Sequence, residues 1–314
     1  LLPLATLSQV AFFGNGQAFE HLINRSRRHY LGEIRWAAAR ASEELEKIIP
    51  SFLRRLKDED KRDVVEGYQN YLAGKKIRTA SGLSDMDISQ LPINGKNPAG
   101  VKLIEYDPEG EAKVITGILY GTPKNHLSWE AIFEGVKKMS ADEKRKVLDS
   151  YLEGRSACWQ KVGRAFENAY LRFEIIMNIG GWRDLHRHRM LTQDRQYFSC
   201  RHGYDLPEDL SEFGLAEEFQ RAIAGAEEVF EKIENRDPEL AQYAVTLSHR
   251  LRFMQWENLR ECFWEMELRS IPEGHPDYRH IEQEKFKLLK IAYPLIAERM
   301  LVNMGEYDFA RRGQ

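Results

Sequence analysis

Cysteine is scarce in this sequence, and it lacks both long apolar runs and an excess of one charge. The 314 residues include only three cysteines, far apart and in no Cys-x-x-Cys pair (Cys158, Cys200 and Cys262). A disulfide framework or zinc ribbon is therefore excluded, and a reducing compartment is favoured. No apolar run reaches the roughly 18–20 residues that a membrane span needs. Because 46 Lys and Arg nearly match 49 Asp and Glu, a broad nucleic-acid or anionic-lipid surface is also excluded. We expect a cytoplasmic protein that binds neither nucleic acid nor membrane.

Glycine motifs for phosphate binding are missing as well. Gly14-x-Gly16 lacks the rest of a dinucleotide fingerprint, and no P-loop sequence occurs, so neither Rossmann-type nor P-loop nucleotide binding is supported. A hydrophobic content of 42% with 11% aromatic residues is sufficient for a packed core. The length favours two domains or one large one.

Periodicity and capping signals predict an α+β fold rich in helix. Residues 1–74 show helical spacing, and residues 75–100 contain several turn signals that predict a linker. A hairpin is predicted from the segments 101–106 and 112–119, which flank Asp107-Pro108-Glu109-Gly110. Residues 170–179 predict a buried strand. Further helices are predicted from a cap at Ser128 to Met139, from the capping box Ser140-Ala141-Asp142-Glu143 to about Glu153, and over 212–234, 238–269 and 278–304.

The densest polar cluster follows the predicted strand at 170–179. It contains arginines and histidines that suit phosphate or carboxylate recognition: Arg183, His186, Arg187, His188, Arg189, Arg195 and Arg201. Three interpretations stay open from composition alone. The cluster is a solvated basic helix end, a phosphate or nucleotide pocket, or, through His186-x-His188, a metal site without an acidic or cysteine third ligand.

A second cluster lies on the helix predicted over 238–269. Asn258 and Arg269 are three helical turns apart and so lie near one face, with Arg260 beside them. The competing interpretation is an amphipathic helix with arginines that extend to solvent. The segment that starts at Asn258 also has a weak internal parallel, which starts at Asn15.

Together these motifs resemble the flavin-dependent thymidylate synthases of the ThyX type. Arg187-His188-Arg189 stands downstream of Phe166-Glu167, and Asn258-x-Arg260 is followed nine residues later by Arg269. The resemblance spans roughly 160–270 and implies a helix-rich α+β fold with a small antiparallel sheet. Residues 1–56 look like the C-terminal helices of the same family. This implies tandem copies, with most of the first missing: 1–74 ends a first copy, 75–100 is the linker and 101–314 is a complete second copy.

The resemblance also implies roles for individual residues. Four would bind FAD: Arg187, His188, Asn258 and Arg260. Four would bind the nucleotide: Arg189, Arg195, Ser199 and Arg269, of which Arg269 is also the expected catalytic residue. The implied reaction is reductive methylation of dUMP or a related uracil nucleotide, with methylenetetrahydrofolate and NADPH as co-substrates and no metal. The implied assembly is a homo-oligomer, a dimer of tandem chains.

Several positions depart from the family pattern, and they leave a second function open. Arg195, Tyr197 and Ser199 stand where the family has Glu, Ser and Arg, and Asn168, Asp184 and Gln242 also differ from it. The alternative is a catalytically lapsed relative that acts as a flavin- or nucleotide-binding or assembly module. On this basis the chain is either an FAD-dependent methyltransferase or no enzyme.

Overall fold

The computed structural model describes residues 2–54 and 99–307, with a few isolated positions between 67 and 82. The chain forms two compact units, one of Leu7–Ile93 and one of Leu1–Thr6 with Asn94–Gln314. Most of the predicted linker at 75–100 and the last residues of the predicted second copy lie outside the described residues. The division into tandem copies stays a prediction.

The smaller unit contains three helices among its described residues: α1 (Gly16–Ser26), α2 (Gly32–Glu46) and α3 (Pro50–Leu53). The side chain of Asn15 caps α1 by accepting a hydrogen bond from the Ala18 amide at 2.9 Å. Each helix contributes one buried apolar residue: Ile23, Ala38 and Leu53. The helical expectation is confirmed for the three helices within 16–53, whereas residues 2–15 form no helix, and most of 55–74 lies outside the described residues.

The larger unit combines helices with a four-stranded antiparallel sheet. Its strands are β1 (Gly100–Tyr106), β2 (Tyr170–Asn178), β3 (Leu191–Arg195) and β4 (Arg250–Asn258). Its helices are α4 (Gly110–Tyr120), α5 (Trp129–Lys138), α6 (Ala141–Tyr151), α7 (Ile179–Leu185), α8 (Glu208–Glu212), α9 (Ala216–Glu234), α10 (Pro238–Ala241), α11 (Leu259–Arg269), α12 (Pro276–Ala292) and α13 (Pro294–Ala297), with short 3₁₀ turns at Arg164–Asn168 and Gln242–Ala244. The expected helix-rich α+β class with a small antiparallel sheet is confirmed.

The strand order is β1-β2-β4-β3. Successive side chains of a strand point to opposite faces, and one face of this sheet packs into the core through Leu171, Phe173 and Ile175 of β2 and Leu251 and Phe253 of β4. The other face carries polar and exposed groups, among them Arg172, Arg252 and Trp256. The central β2–β4 pair therefore supports the core on one side only.

The predicted hairpin is wrong in its second half. Residues 112–119 belong to α4, and β1 pairs instead with β2. The turn itself forms, since the Gly110 amide donates to the Asp107 carbonyl at 2.9 Å, but it leads into a helix. A Cβ at Gly110 would lie 2.6 Å from Tyr293, so glycine is needed where that ring packs. Helix α4 is buried around most of its circumference. Its buried positions therefore include alternate residues, and this spacing is also typical of a strand.

The single helix predicted over 238–269 is also wrong. Residues 250–258 form β4, and only 259–269 are helical in the second half of that range. The inward positions Gln255 and Glu257 are polar yet fully buried, whereas the outward Trp256 is apolar. This inversion hides the two-residue period that indicates a strand.

Candidate functional site

Two strand-to-helix connections build the site. β2 ends at Asn178, whose Oδ1 caps α7 by accepting from the Gly181 amide at 2.8 Å. β4 ends at Asn258, whose Oδ1 caps α11 by accepting from the Glu261 amide at 2.9 Å. The two nine-residue strands run antiparallel, with Asn178 opposite Arg250 and Tyr170 opposite Asn258. Each strand therefore leads directly into a helix. In both cases the side chain of the last strand residue, an asparagine, caps the start of that helix, as is typical of an N-cap.

The Arg-His-Arg segment lies just after α7, and its histidine points into the protein. The His188 side chain is only 2% exposed. Its Nδ1 lies 2.9 Å from Glu261 Oε1, and its Nε2 accepts a hydrogen bond of 2.9 Å from Arg269 Nε. The imidazole thus joins the end of α7 to both ends of α11. Both ring nitrogens are used within the protein.

Arg269 is held in place without a carboxylate partner. Besides its bond to His188, its Nη2 donates to the carbonyl oxygen of Asp184 at 2.9 Å, which also accepts from the Arg187 amide at 3.3 Å. Its guanidinium carbon lies 5.5 Å from the centre of the Tyr278 ring. Among the described residues it forms no ion pair, so its positive charge is fixed in position but not neutralised.

Three further arginines lie in α7 or just after it, in the segment that Arg269 contacts through Asp184 and His188. Arg183, Arg187 and Arg189 are exposed. Arg187, with 70% of its side chain exposed, lies 3.2 Å from Asp184. Arg183 and Arg189 have no ion pair within the part of the chain that the structure describes. We call Arg183, Arg187, Arg189 and Arg269 the basic end of the site; among the described residues, Arg187 is the one of these four that forms an ion pair.

The predicted flavin-side residues of α11 lie at its other end. Arg260 and Arg269 are nine residues apart, so roughly 13 Å of helix separates them. Arg260 donates to Glu167 at 2.5 Å, and both side chains are about one-third exposed. The Nδ2 of Asn258 makes no hydrogen bond with the described residues, whereas that of Asn178 donates to Asp205 and Asp277. Asn258 therefore keeps both N–H donors of its Nδ2 free of partners among the described residues.

The remaining predicted nucleotide residues lie on β3 and the segment after it. The Arg195 guanidinium stacks on Phe198, 4.0 Å from the ring centre, and lies 5.9 Å from the Trp182 ring. Ser199 accepts from the Arg201 amide at 3.3 Å. The Tyr197 hydroxyl donates to Glu239 at 2.7 Å. No hydrogen bond joins Arg195 or Ser199 to Arg269 among the described residues, so their part in nucleotide binding stays a prediction.

The sequence analysis missed a buried ionic cluster beneath α11. Lys285 Nζ lies 2.9 Å from Glu257, 2.7 Å from Glu265 and 3.0 Å from Glu282, and all four side chains are fully buried. We call these four residues the buried ionic cluster. The spacing of Glu261, Glu265 and Arg269, at steps of four on one helix face, was the available signal for a polar face turned inward.

Burial sets the protonation of this cluster, since it disfavours each charged carboxylate. It raises the pKa of Glu282 to about 8 and the pKa of Glu257 well above its usual value. At Glu265 burial acts in the same direction, but Lys285 and other neighbours outweigh it and lower the pKa. Burial therefore favours the protonated forms of Glu257 and Glu282, whereas Lys285 favours the charged form of Glu265.

Among the described residues, no group of three or more His, Cys, Asp and Glu side chains could hold a metal ion. His186 packs against Trp182, with ring centres 4.6 Å apart, rather than sharing a ligand set with His188. In the same portion of the chain, every helix is too short or too polar to cross a bilayer.

Relatives of known sequence match this chain over most of its length. A UPF0159 protein of Chlamydia pneumoniae is 34% identical over 281 residues, which cover 90% of this chain and 52% of that protein. A UPF0159 protein of Chlamydia muridarum is 31% identical over 315 residues, or 100% of this chain and 58% of that protein. The chain thus spans just over half the length of these relatives.

Solved structures also resemble the model. A UMP/dUMP methylase, PolB, from Streptomyces cacaoi, bound with 5-Br dUMP, matches 64% of this chain and 94% of its own at 15% identity and a TM-score of 0.50. The ThyX of Helicobacter pylori, with FAD and dUMP, matches 65% of this chain and 99% of its own at 16% identity and a TM-score of 0.46. The first of these likenesses supports the fold assignment.

The family follows from a match to the core of the larger unit. The model of the family described as thymidylate synthase complementing protein matches residues 102–295. That range contains the β-sheet except the first two residues of β1, both capping asparagines and every residue of the basic end. The chain therefore belongs to the ThyX family of thymidylate synthase complementing proteins.

Proposed function

We propose that this chain is part of an enzyme that reductively methylates dUMP or a related uracil nucleotide. The observation that carries the proposal is the basic end, where Arg183, Arg189 and Arg269 have no carboxylate partner among the described residues. Guanidinium groups bind phosphate bidentately. A charge that the protein positions but does not neutralise suits an anionic ligand.

Arg269 is the best-organised member of that group. Its Nε donates to His188, and one N–H of its Nη2 donates to the Asp184 carbonyl. Its other donors have no partner in the described chain. Because this guanidinium is already ordered, binding a nucleotide costs less conformational entropy than for a free side chain. We assign it to the nucleotide, as the residue that orients the uracil nucleotide for reaction.

The described residues also fit a flavin cofactor. Arg187 is exposed beside a single carboxylate, and Asn258 keeps its Nδ2 donor, so both can contact cofactor oxygens. Arg260 is the third candidate, through an ion pair with Glu167 that a diphosphate would have to share. When bound, FAD would supply the hydride that converts a transferred methylene to methyl, with NADPH as reductant and methylenetetrahydrofolate as carbon donor.

The relation to longer relatives suggests how the site is completed. In our proposal two chains associate, and each contributes tandem ThyX-like copies to the assembly. The methylase described for the Streptomyces cacaoi neighbour supports the enzymatic function over that of a catalytically lapsed relative.

Nucleotide binding is the direct test. We expect 5-bromo-dUMP to bind the native protein in titration calorimetry, and Arg269→Gln to weaken that binding by about tenfold or more, since a hydrogen bond to a charged group contributes about 1.5–3 kcal/mol. Arg145→Gln is the matched control, because Arg145 is exposed and already paired with Asp142 and Glu298. Equal binding by both variants would contradict the assignment.

Flavin binding and turnover need a second measurement. We expect Arg187→Ala to weaken FAD binding by a similar factor, measured by flavin fluorescence. Formation of dTMP from dUMP, methylenetetrahydrofolate and NADPH, followed by chromatography, tests the complete reaction. A native protein that takes up no FAD and forms no dTMP would overturn the enzymatic proposal.

A further inference from the structure

We propose that Glu261 is a positioning residue for nucleotide binding: it fixes the tautomer of His188, and His188 in turn orients Arg269. This inference rests on the proposed function, because it assigns Arg269 to the nucleotide. Neither the Arg-His-Arg motif nor the Asn-x-Arg motif contains Glu261.

The direction of the hydrogen bonds can be assigned from the chemistry of the three groups. Arginine carries only donors and stays protonated, so the bond of 2.9 Å from Arg269 Nε requires a lone pair on His188 Nε2. A neutral imidazole then carries its proton on Nδ1. That proton is donated to Glu261 Oε1, 2.9 Å away.

Burial makes this arrangement selective. The His188 side chain is 2% exposed and that of Glu261 is 8% exposed, so water cannot readily replace either partner. Without an acceptor at Nδ1, the imidazole proton would move to Nε2. An Nε2 donor would then face the Arg269 Nε donor, and the guanidinium would lose its anchor on that side.

The position of Glu261 also suits an ion beside the start of a helix. It lies in the first turn of α11, and its own backbone amide donates to the Asn258 Oδ1 at 2.9 Å. Negative charge in the first turn is favoured by the helix dipole. The Glu261 carboxylate is therefore held between the N-terminus of α11 and the His188 ring. The same ring accepts a hydrogen bond from Arg269 at the other end of α11.

The variants Glu261→Leu and Glu261→Gln separate the acceptor from the charge. Leucine removes the acceptor at similar volume, whereas the glutamine carbonyl can still accept from Nδ1. We expect Glu261→Leu to weaken 5-bromo-dUMP binding about tenfold. In turnover of dUMP, we expect it to raise KM by a larger factor than it lowers kcat. Glu261→Gln should stay within about threefold of native. Glu130→Leu is the control, because Glu130 is an exposed first-turn glutamate of α5.

Ring ¹⁵N chemical shifts of His188 provide a readout that a merely structural role would not change. We expect a protonated Nδ1 in the native protein and in Glu261→Gln, and a protonated Nε2 in Glu261→Leu. A native His188 that is protonated on Nε2, or unchanged nucleotide affinity in a folded Glu261→Leu, would overturn the inference. A native protein with the expected tautomer that binds no 5-bromo-dUMP would instead contradict the proposed function. The tautomer of His188 in the native protein is measured without any variant. It therefore tests the hydrogen-bond assignment even if Glu261→Leu fails to fold.

Discussion

Helix α11 touches two charged regions that differ in both the sign of their excess charge and their access to water. At the basic end, one of four arginines forms an ion pair among the described residues, and three of the four are exposed. In the buried ionic cluster, three carboxylates surround one lysine, and none of the four side chains is exposed. Glu265 and Arg269, one turn apart on the same helix, belong to different regions.

The difference shows two ways in which a protein can carry unequal charge. The buried ionic cluster removes its excess by protonation, because burial raises the pKa of Glu257 and Glu282. Arginine cannot lose its proton at physiological pH, so the basic end keeps its excess for solvent or for an anionic ligand. Stability should therefore depend on the first region, and ligand affinity on the second.

The largest expected effect comes from Lys285→Met. It leaves the Glu265 carboxylate buried without its cation, and breaking a buried ion pair from one side costs about 3–5 kcal/mol of unfolding free energy. Urea denaturation measures it. Lys287→Met is the matched control on the same helix, since Lys287 is 58% exposed and pairs with Glu284; we expect a change below about 0.5 kcal/mol. Similar losses in both variants would contradict the assigned role of the cluster.

Glu282→Gln should change how stability depends on pH. The folded state keeps a proton on Glu282 up to a pKa of about 8, whereas the unfolded chain releases it near 4.5. This carboxyl therefore stabilises the fold most at low pH, and its contribution is lost as pH rises from about 5 through 8. We expect denaturation curves of the variant to show a smaller loss over that interval. An identical pH profile would refute the raised pKa.

Ionic strength should distinguish the two regions next. Arg189→Gln removes an exposed cation of the basic end, and we expect it to weaken 5-bromo-dUMP binding about threefold to tenfold at low salt. The loss should shrink at high salt because exposed charges are screened. Unfolding free energy should change by less than about 0.5 kcal/mol. A salt-independent loss in affinity would argue that Arg189 acts through packing instead.

The smallest expected effect concerns the cap of the helix that joins the two regions. Asn258→Ala should lower the unfolding free energy by about 1 kcal/mol, since it removes the N-cap acceptor of α11. Asn258→Asp keeps an acceptor and should retain native stability. Thermal unfolding of both variants tests this, and equal losses would show that the amide donor, not the cap, matters.

Much of the local structure was predictable from the sequence. The Ser140 capping box forms and begins α6, the helix starting after Ser128 ends at Lys138, and the apolar run at 170–179 forms β2. These signals are local, because a cap or a short apolar run acts through residues within one or two turns. The family motifs likewise located the Arg-His-Arg segment beside the core.

Two elements could not be assigned correctly because their burial is set by distant partners. Gln255 and Glu257 look solvent-facing in sequence, yet they are buried against Glu265 and Lys285. Helix α4 has alternating buried residues because α5, the turn at Arg164–Asn168 and Tyr293 cover it on several sides. Sequence periodicity predicts an element from the contrast between a buried face and an exposed face. Neither β4 nor α4 shows that contrast in its sequence.

The amino-acid sequence by itself determined where helices begin, which segment forms the central strand and which residues carry positive charge near position 188. Only the tertiary structure decided that His188 turns inward between Glu261 and Arg269. It also decided that Arg260 pairs with Glu167 and that three buried glutamates surround Lys285. The physical reason is that pairing and desolvation depend on residues far apart in the chain, 73 positions for His188 and Glu261. A charge in the sequence is a property of one residue, whereas its neutralisation is a property of the fold.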